Sequence, residues 1–233
     1  MAHFKKYILV VVGCIFAVVA KAQIGYDYSR ADIGIGADFN TAYTDAETLS
    51  PSKSVHFNYN YNIGPYINYV VELQYGELKG GDSVTTVSGR QFVNKFTSVI
   101  LRAQLQAGEL IDYSHSRVMN GLKNLYVSTG IGFVVNNITT ISRYSSQIPG
   151  YSTPGVNNSN NILIPARIGY EFKVFDKYNH PNFKVDLGYQ YNFILGDDID
   201  GFRSGKHDGY GQYTIGVKFA IGEVTSYKKT IGF

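Results

Sequence analysis

Two neighbouring stretches of the chain alternate between apolar and polar residues. From Val55 to Ile63 every second residue is apolar and the residues between them are His or Asn. After Gly64-Pro65, the run from Ile67 to Tyr75 repeats the alternation, with Val70 as the one apolar residue out of phase. A period of two gives a strand one apolar and one polar face. The stretch therefore predicts a hairpin whose apolar face must lie against a second sheet or lipid.

The same alternation recurs in six further segments, which makes eight strands in all. These segments lie at about 32–42, 98–105, 125–135, 162–172, 183–195 and 212–221. Long polar connections fall on one side of the strands, at 43–53, 79–91, 136–160 and 196–209, and the connections at 63–66, 109–124 and 173–182 fall on the other. Segment 109–124 has roughly helical spacing and predicts a short amphipathic turn beside the rim. The pattern predicts an all-β fold, an eight-stranded antiparallel up-and-down β-barrel.

A soluble barrel or sandwich would show the same alternation, so three further features decide in favour of lipid. Several strands have the roughly 9 to 11 residues that cross a bilayer at a tilt. Their apolar faces carry no charge in mid-strand, where Lys or Arg would cost roughly 2 to 4 kcal/mol. Aromatic residues gather near strand ends, at Tyr61, Tyr75, Tyr170, Phe172, Phe183, Phe193, Tyr213 and Phe219. We therefore expect a transmembrane barrel, with a secreted lipocalin-like barrel as the alternative.

The N-terminal segment has the organisation of a secretory signal. Lys5 and Lys6 precede an apolar run over residues 7–20, which ends in Ala20-Lys21-Ala22. This predicts a cleaved signal peptide at 1–22 and a single barrel domain at 23–233. In the alternative interpretation, Val11-Val12-Gly13-Cys14 is a lipobox and Cys14 is lipidated. An uncleaved membrane helix is disfavoured because the run is too short.

Removal of the signal changes the charge of the chain. The whole sequence has 21 basic and 18 acidic residues, and the signal contains three lysines and no acidic residue, which leaves 18 of each sign. A neutral chain offers no electrostatic basis for binding nucleic acid. Cys14 is the only cysteine, so the mature chain has no disulfide and no thiolate metal ligand. We expect neither a cofactor nor a metal.

The pattern resembles that of the small OmpA/OmpX-type outer-membrane barrels over essentially all of the mature sequence. The most specific match is the segment from Thr214 to Ile221, in which Thr214, Gly216, Phe219 and Ile221 are similar to the last-strand signal of that family. The resemblance implies a location in the bacterial outer membrane, contact with its lipid and recognition by the barrel assembly machinery. The chain departs from the usual form because residues 223–233 continue beyond this strand.

The inward positions of the strands carry charges of both signs. They are Asp38, Glu72, Arg102, Arg167, Glu171, Lys184, Asp186 and Lys218. Eight strands enclose a space that side chains roughly fill, and buried charges need partners. We therefore expect an ion-paired polar lumen and a structural or surface-interaction role. The alternative is a small gated channel for ions or solutes.

Two further functions depend on residues in the connections. Asp197, Asp198, His207 and Asp208 lie at the mouth of the last hairpin and are similar in type to the site of the omptin peptidases, which makes a hydrolase an alternative. A solvated loop explains the same residues. The loop aromatics Tyr144, Tyr151 and Phe202 suit an extracellular ligand, and equally suit packing at the rim.

Overall fold

The residues that the structure describes form nine strands and two short helices. The computed structural model describes residues 25–46, 48–82, 86, 88–114, 116–144, 148, 150–203 and 208–228, so the expected signal peptide lies outside the described residues. The strands are β1 (Gly25–Tyr43), β2 (Leu49–Ser50), β3 (Ser52–Asn62), β4 (Ile67–Gly81), β5 (Gln91–Gln106), β6 (Leu125–Ser142), β7 (Asn158–Phe175), β8 (Pro181–Leu195) and β9 (Gly209–Lys228). The helices are α1 (Ala107–Leu110) and α2 (Arg117–Leu122). Neither described helix has the length and apolar character needed to cross a membrane.

The eight long strands form a closed antiparallel barrel. Each pairs with its neighbours along the chain, and β1 pairs with β9 to complete the ring. Ile35, for example, lies opposite Phe57 of β3 on one side and Val217 of β9 on the other. The two-residue strand β2 adds to β4 beyond the end of β3. Closure leaves no long strand with an unpaired edge, and it confirms the predicted eight-stranded up-and-down barrel.

The strands extend further than the apolar alternation predicted. β1 extends back to Gly25, and a register shift between Ser29 and Ala31 changes the phase of its first residues. A β-bulge of this kind inserts one unpaired residue and turns the following side chains to the other face. β6 and β7 continue through polar residues for which the sequence predicts a loop, and only 143–157 connects the two strands. The outward residues of these extensions, at 137, 139, 158 and 160, are polar, so they give no apolar alternation there.

The outer face of the barrel is apolar and the lumen is largely polar. On β3 the burial alternates residue by residue: Phe57 is 52% exposed, whereas Asn58 beside it is 3% exposed. On β4 the outward apolar belt runs from the half-buried Ile67 to the exposed Tyr75, which spans roughly 20 Å of height at the usual strand tilt. A soluble barrel has the opposite arrangement, so the belt is the surface that faces lipid.

The two ends of the barrel differ in their connections. At the end that we call the long-loop end, the strands are joined by 44–51, 82–90, 143–157 and 196–208. At the other, the short-turn end, they are joined by 63–66, 107–124 and 176–180. This division is the one that the sequence predicted for a transmembrane barrel.

The lumen at the long-loop end is filled with apolar side chains, which the sequence did not predict. We call this cluster the upper plug; it consists of Ala42, Ala46, Leu78, Phe92, Phe96, Ile100, Val134, Ile138, Leu163, Ile194, Ile199, Phe202 and Tyr210. Most of these residues come from the barrel strands, but Ile199 and Phe202 belong to the connection between β8 and β9. That connection therefore folds inward over the lumen.

The connection 107–124 closes around an aromatic residue at the short-turn end. Tyr66 is fully buried, and its ring makes edge contacts with Tyr113 and Tyr227 at centroid distances of 5.7 and 6.1 Å. Its carbonyl accepts a 2.8 Å hydrogen bond from the Gln106 amide. A Cβ atom on Gly108 would lie 2.4 Å from this ring, so glycine is needed at that position of α1. The predicted amphipathic turn is thus a pair of short helices packed at the rim.

A charged substitution on the lipid-facing belt tests its assignment. We expect Leu101→Lys to lower the free energy of unfolding in lipid vesicles by roughly 2 to 4 kcal/mol, because it places an ammonium group near the middle of the belt. The matched control Asn137→Lys lies outside the belt on β6 and should cost less than about 1 kcal/mol. Urea unfolding followed by heat-modifiable migration measures both, and equal costs would contradict the assignment.

Candidate functional site: the lumen

Ten charged side chains are buried on the eight long strands, and their signs balance. The acidic ones are Asp32, Asp38, Glu72, Glu171 and Asp186, and the basic ones are Arg102, Arg167, Lys173, Lys184 and Lys218. Each occupies an inward position in the two-residue alternation of its strand. A buried charge without a partner would cost several kcal/mol, so the equal numbers allow each charge to be compensated within the lumen.

Two arginines and two carboxylates form the centre of the network. The Arg102 guanidinium pairs with Glu72, and Nη1 of Arg167 lies 3.6 Å from the same carboxylate oxygen. Nη2 of Arg167 lies 3.0 Å from Oδ2 of Asp186. The hydroxyl of Tyr126 donates to Asp186 at 2.6 Å and accepts from Nε of Arg167 at 2.8 Å. Five strands, β4 to β8, are thereby joined across the lumen by ion pairs and charge-assisted hydrogen bonds, of which the latter are stronger than neutral hydrogen bonds.

A lysine on β9 extends this centre toward the short-turn end. Nζ of Lys218 lies 2.8 Å from Asp186 and 2.7 Å from Glu171. Glu171 also accepts a 2.5 Å hydrogen bond from Gln106, whose side-chain oxygen accepts from Nζ of Lys173 at 2.7 Å. Each added charge is bound to one of opposite sign or to an amide, so the chain of contacts is continuous.

A separate ion pair lies at the short-turn end. Nζ of Lys184 lies 2.6 Å from Oδ2 of Asp32. The carboxylate of Asp32 also accepts hydrogen bonds from Ser29 at 2.9 Å and from Asn62 at 2.8 Å. Ser29 lies directly before the bulge in β1, so the bulge places a hydrogen-bond donor next to the Asp32 carboxylate.

Asp38 and His56 form a pair between β1 and β3. Nδ1 of His56 lies 2.9 Å from the Asp38 carboxylate, which also accepts a 3.1 Å hydrogen bond from Ser54. The imidazole ring covers Gly36, where a Cβ atom would come within 2.4 Å of the ring. Glycine on β1 thus provides the space for a large polar side chain from β3.

A layer of amides separates the ion pairs from the upper plug. Gln212 donates to Asn40 at 3.0 Å and accepts from Asn192 at 2.8 Å, and Asn192 accepts from Gln190 at 2.8 Å. On β9, Gln212 lies between Tyr210 of the plug and Lys218 of the network. The lumen is therefore filled at three successive levels by apolar, amide and ionic side chains.

All eight sequence-predicted lumen residues line the lumen, and seven take part in the ion pairs among carboxylates, arginines and lysines. The eighth, Asp38, has His56 as its partner instead. The prediction omitted Asp32 and Lys173, although both continue the inward phase of their strands. It also omitted Tyr126, whose inward position followed from the alternation but whose partners lie on other strands.

The connection 196–208 is held over the lumen by aromatic contacts. Phe202 is fully buried and packs edge-on against Phe92 at a centroid distance of 6.4 Å, and the Arg90 guanidinium lies 5.8 Å from the ring of Phe202. Of the two alternatives for Phe202, contact with an extracellular ligand and packing at the rim, its burial in the upper plug favours packing. Tyr144 and Tyr151 are exposed, as expected for residues of an outer connection.

Two buried aspartates fix the backbone of the same connection. Asp200 accepts hydrogen bonds from the amides of Phe202 at 2.9 Å and Asp45 at 3.1 Å, and Asp208 accepts from the Ile199 amide at 3.1 Å. Burial raises the pKa of Asp200 to about 6. Burial and the nearby charge of Asp200 raise the pKa of Asp208 to about 9. At neutral pH, Asp208 is consequently protonated and Asp200 is largely ionised.

The residues of the hydrolase alternative have structural partners where they are described. Asp198 lies 2.7 Å from Arg203 in an exposed ion pair, and Asp208 is bound to the Ile199 amide. His207 lies outside the described residues. Within the described part of the chain, no group of three or more His, Cys, Asp or Glu side chains is arranged to hold a metal ion.

The predicted assembly signal lies on β9. Thr214 and Gly216 occupy buried positions on the lumen side of β9, whereas Phe219 and Ile221 lie on the lipid-facing side. β9 continues to Lys228, where it pairs with Gly25 at the start of β1. Recognition of this segment by the assembly machinery stays a prediction.

Several solved structures are similar to this chain. Neisserial surface protein A is 16% identical with a TM-score of 0.49, over 83% of this chain and 98% of its own. Ail, the attachment invasion locus protein of Yersinia pestis, is 15% identical with a TM-score of 0.46, over 82% and 98%. The outer membrane protein OprG from Pseudomonas aeruginosa is 11% identical with a TM-score of 0.37, over 87% and 98%. No protein-family model and no curated protein matches the sequence.

Removing one carboxylate from the central network tests its contribution to stability. We expect Glu72→Gln to lower the free energy of unfolding by roughly 3 to 5 kcal/mol, because Arg102 and Arg167 lose the charge that compensates them. The double variant with Arg102→Gln should cost less than the sum of the two single changes, since the two residues interact directly.

Glu77→Gln is the matched control for this experiment, because it makes the same chemical change on the outward face of β4. Glu77 is partly exposed and pairs with Lys79 at 2.9 Å, so its loss should cost less than about 1 kcal/mol. Urea titration of the refolded proteins gives all four values. Equal costs for Glu72→Gln and Glu77→Gln would contradict the buried network.

Proposed function

We propose that this protein is a closed barrel of the bacterial outer membrane that acts through its loops and outer wall, without an open pore. The observation that carries the proposal is the upper plug, in which Ile199 and Phe202 from the last long connection are fully buried against residues of the strands. Eight-stranded barrels have interiors that side chains roughly fill. The amide layer and the ion pairs beneath the plug support the same conclusion.

Transport through this lumen would require several costly changes at once. The apolar residues of the plug would have to leave their neighbours, and the ion pairs around Glu72 and Asp186 would have to separate in a water-poor interior. Breaking one buried ion pair costs roughly 3 to 5 kcal/mol when a charge is left without a partner. An equilibrium opening of the whole lumen is therefore a rare event.

The connection 143–157 supports a role in surface interaction. Tyr144, Ile148 and Tyr151 are exposed in this connection, at 73, 58 and 46%. Arg143 on one side of it donates to Asn157 on the other at 2.7 Å, and Tyr144 forms an isolated bridge with Ser152. Exposed aromatic residues on a loop whose two sides are joined by such contacts suit binding to an extracellular protein or glycan.

Recording in planar bilayers tests the closed state. We expect the refolded wild-type protein to give no steady current at neutral pH. We expect Phe202→Ala to stay equally silent, because the amide layer and the ion pairs still fill the lumen below the shortened plug. Stable steps of current that are proportional to voltage, seen with the wild-type protein and absent from protein-free bilayers, would contradict the proposal.

A pH-gated channel is the second candidate, and it is favoured by the raised pKa of two aspartates in the connection that forms the plug. Asp208 has a pKa of about 9 in the closed arrangement, far above its ordinary value near 4. The closed connection thus holds a proton that an open one would release. The contribution of Asp208 to the stability of the closed connection is full below about pH 4, declines as the pH rises, and is lost above about pH 9.

Fluorescence tests this pH dependence, because the chain contains no tryptophan and Phe202→Trp introduces a single reporter. If the protein is such a channel, the emission is blue-shifted at neutral pH and shifts to the red as the pH rises through about 9, when Asp208 ionises beside the charged Asp200 and the connection leaves the lumen. Asp208→Asn in the same background should keep the emission blue at all pH values. A red shift with the same midpoint in both proteins would contradict the role of Asp208.

A further inference from the structure

A cluster of lysines lies on the outer wall of the barrel, directly beyond the apolar belt. Lys53 of β3, Lys79 of β4 and Lys95 of β5 occupy outward positions at the long-loop end. Glu77 pairs in register with Lys95. Ser54 pairs with Gly76, which places Lys53 opposite Glu77 on the other side. Three basic side chains thus surround one acidic side chain on three consecutive strands, and we call this group the wall patch.

The wall patch carries an excess of positive charge. Glu77 pairs with Lys79 at 2.9 Å. Among the described residues, neither Lys53 nor Lys95 has a carboxylate within ion-pairing distance, and both are exposed. Neighbouring strands are about 4.8 Å apart, so the two lysines lie roughly 10 Å from each other across β4. That separation lets both ammonium groups reach one phosphorylated headgroup between them.

Among the described outward strand residues at the long-loop end, charge is confined to β3, β4 and β5. On the other five long strands, the described outward residues at the long-loop end are uncharged, as at 41 and 43 of β1, 137 and 139 of β6, 158 and 160 of β7, 195 of β8, and 209 and 211 of β9. A charge distribution that served only solubility would be spread around the ring. The asymmetry indicates a ligand on one side of the barrel.

The surface below the wall patch favours a lipid as that ligand. Val55 on β3 and Tyr75 on β4 are the apolar residues next to the patch, and they are 54 and 59% exposed. Leu73 and Val99 continue the exposed apolar surface toward the middle of the membrane. Nζ of Lys53 also lies 6.0 Å from the centroid of the Phe39 ring, so the patch borders an aromatic residue. A headgroup on the lysines would place its acyl chains along this surface.

We propose that the wall patch binds a phosphorylated anionic lipid of the leaflet at the long-loop end. The lysines of the patch would neutralise the phosphate, and the belt beneath β3, β4 and β5 would hold the acyl chains. The inference rests on the proposed location of the barrel in the outer membrane, and it is independent of whether the lumen conducts. Glu77 opposes binding through its charge and positions Lys79 through their ion pair.

Lipid titration in neutral detergent micelles tests the proposal, with phosphatidic acid as the probe, phosphatidylcholine as the neutral lipid and native mass spectrometry as the readout. Near a membrane surface each basic residue contributes roughly a fivefold change in affinity for an anionic lipid. We expect the triple variant Lys53→Gln, Lys79→Gln, Lys95→Gln to bind phosphatidic acid on the order of a hundredfold more weakly. We expect Glu77→Gln to bind it roughly fivefold more tightly.

The matched control neutralises three exposed basic residues at the short-turn end, by Arg30→Gln, Arg117→Gln and Lys177→Gln. It changes the net charge by the same amount and should leave the affinity within about twofold. Equal loss in the two triple variants, or no gain from Glu77→Gln, would overturn the proposal. Competition by inorganic phosphate at the same concentration as the lipid would show an anion site and overturn the assignment to a lipid.

Heat-modifiable migration of each variant separates a failure of folding from a failure of binding. If the triple variant does not refold, the three single Lys→Gln variants of the wall patch and Glu77→Gln test lipid binding in its place, since each changes only one surface side chain. A conducting wild-type protein would contradict the closed lumen and leave this binding experiment unaffected. Unchanged binding in all wall-patch variants would overturn the lipid site and leave the closed lumen unaffected.

Discussion

The backbone hydrogen bonds of a chain inside hydrocarbon must all be made within the protein, because no water is available to replace them. This constraint explains why β1 pairs with β9. Without that pairing, two strands would carry unpaired amide and carbonyl groups on a surface that faces lipid. Closure also determines the direction of every side chain, since alternate residues must point to lipid or to the lumen. The exposed belt and the buried polar lumen both follow from it.

A narrow closed lumen leaves little space for water, so inward polar groups must bind one another. The ion pairs around Glu72, Arg167 and Lys218 meet this requirement with balanced charge. Such pairs add little net stability compared with apolar residues of similar volume, because both charges lose their hydration. Their energetic effect is asymmetric: an intact pair contributes modestly, whereas a broken pair costs much. The network therefore disfavours alternative registers of the strands more than it stabilises the native one.

The sequence predicted the barrel well because lipid enforces a strict alternation, and it predicted the inward charges because they share the phase of their strands. It did not predict the upper plug. Ile100, Leu163 and Ile194 point inward, and each lies between two outward apolar residues. In such a continuous apolar run the sequence does not show which side chains point into the lumen and which point to lipid. Phe202 lies among polar residues, and its burial depends on a connection that folds back over the lumen. The pairing of His56 with Asp38 depends on the register between β1 and β3, which the alternation does not specify.

The pairing of β1 with β9 has a kinetic consequence. Every other pairing of long strands joins neighbours along the chain, whereas Gly25 and Lys228 are about 200 residues apart. Contacts between such distant residues slow folding, because the entropy of closing a long loop must be overcome before the contact forms. The seven pairings between neighbouring long strands can form as successive hairpins, which gives a sheet with two free edges. Such edges pair readily with other chains. The protein is therefore most prone to aggregate before β1 has paired with β9.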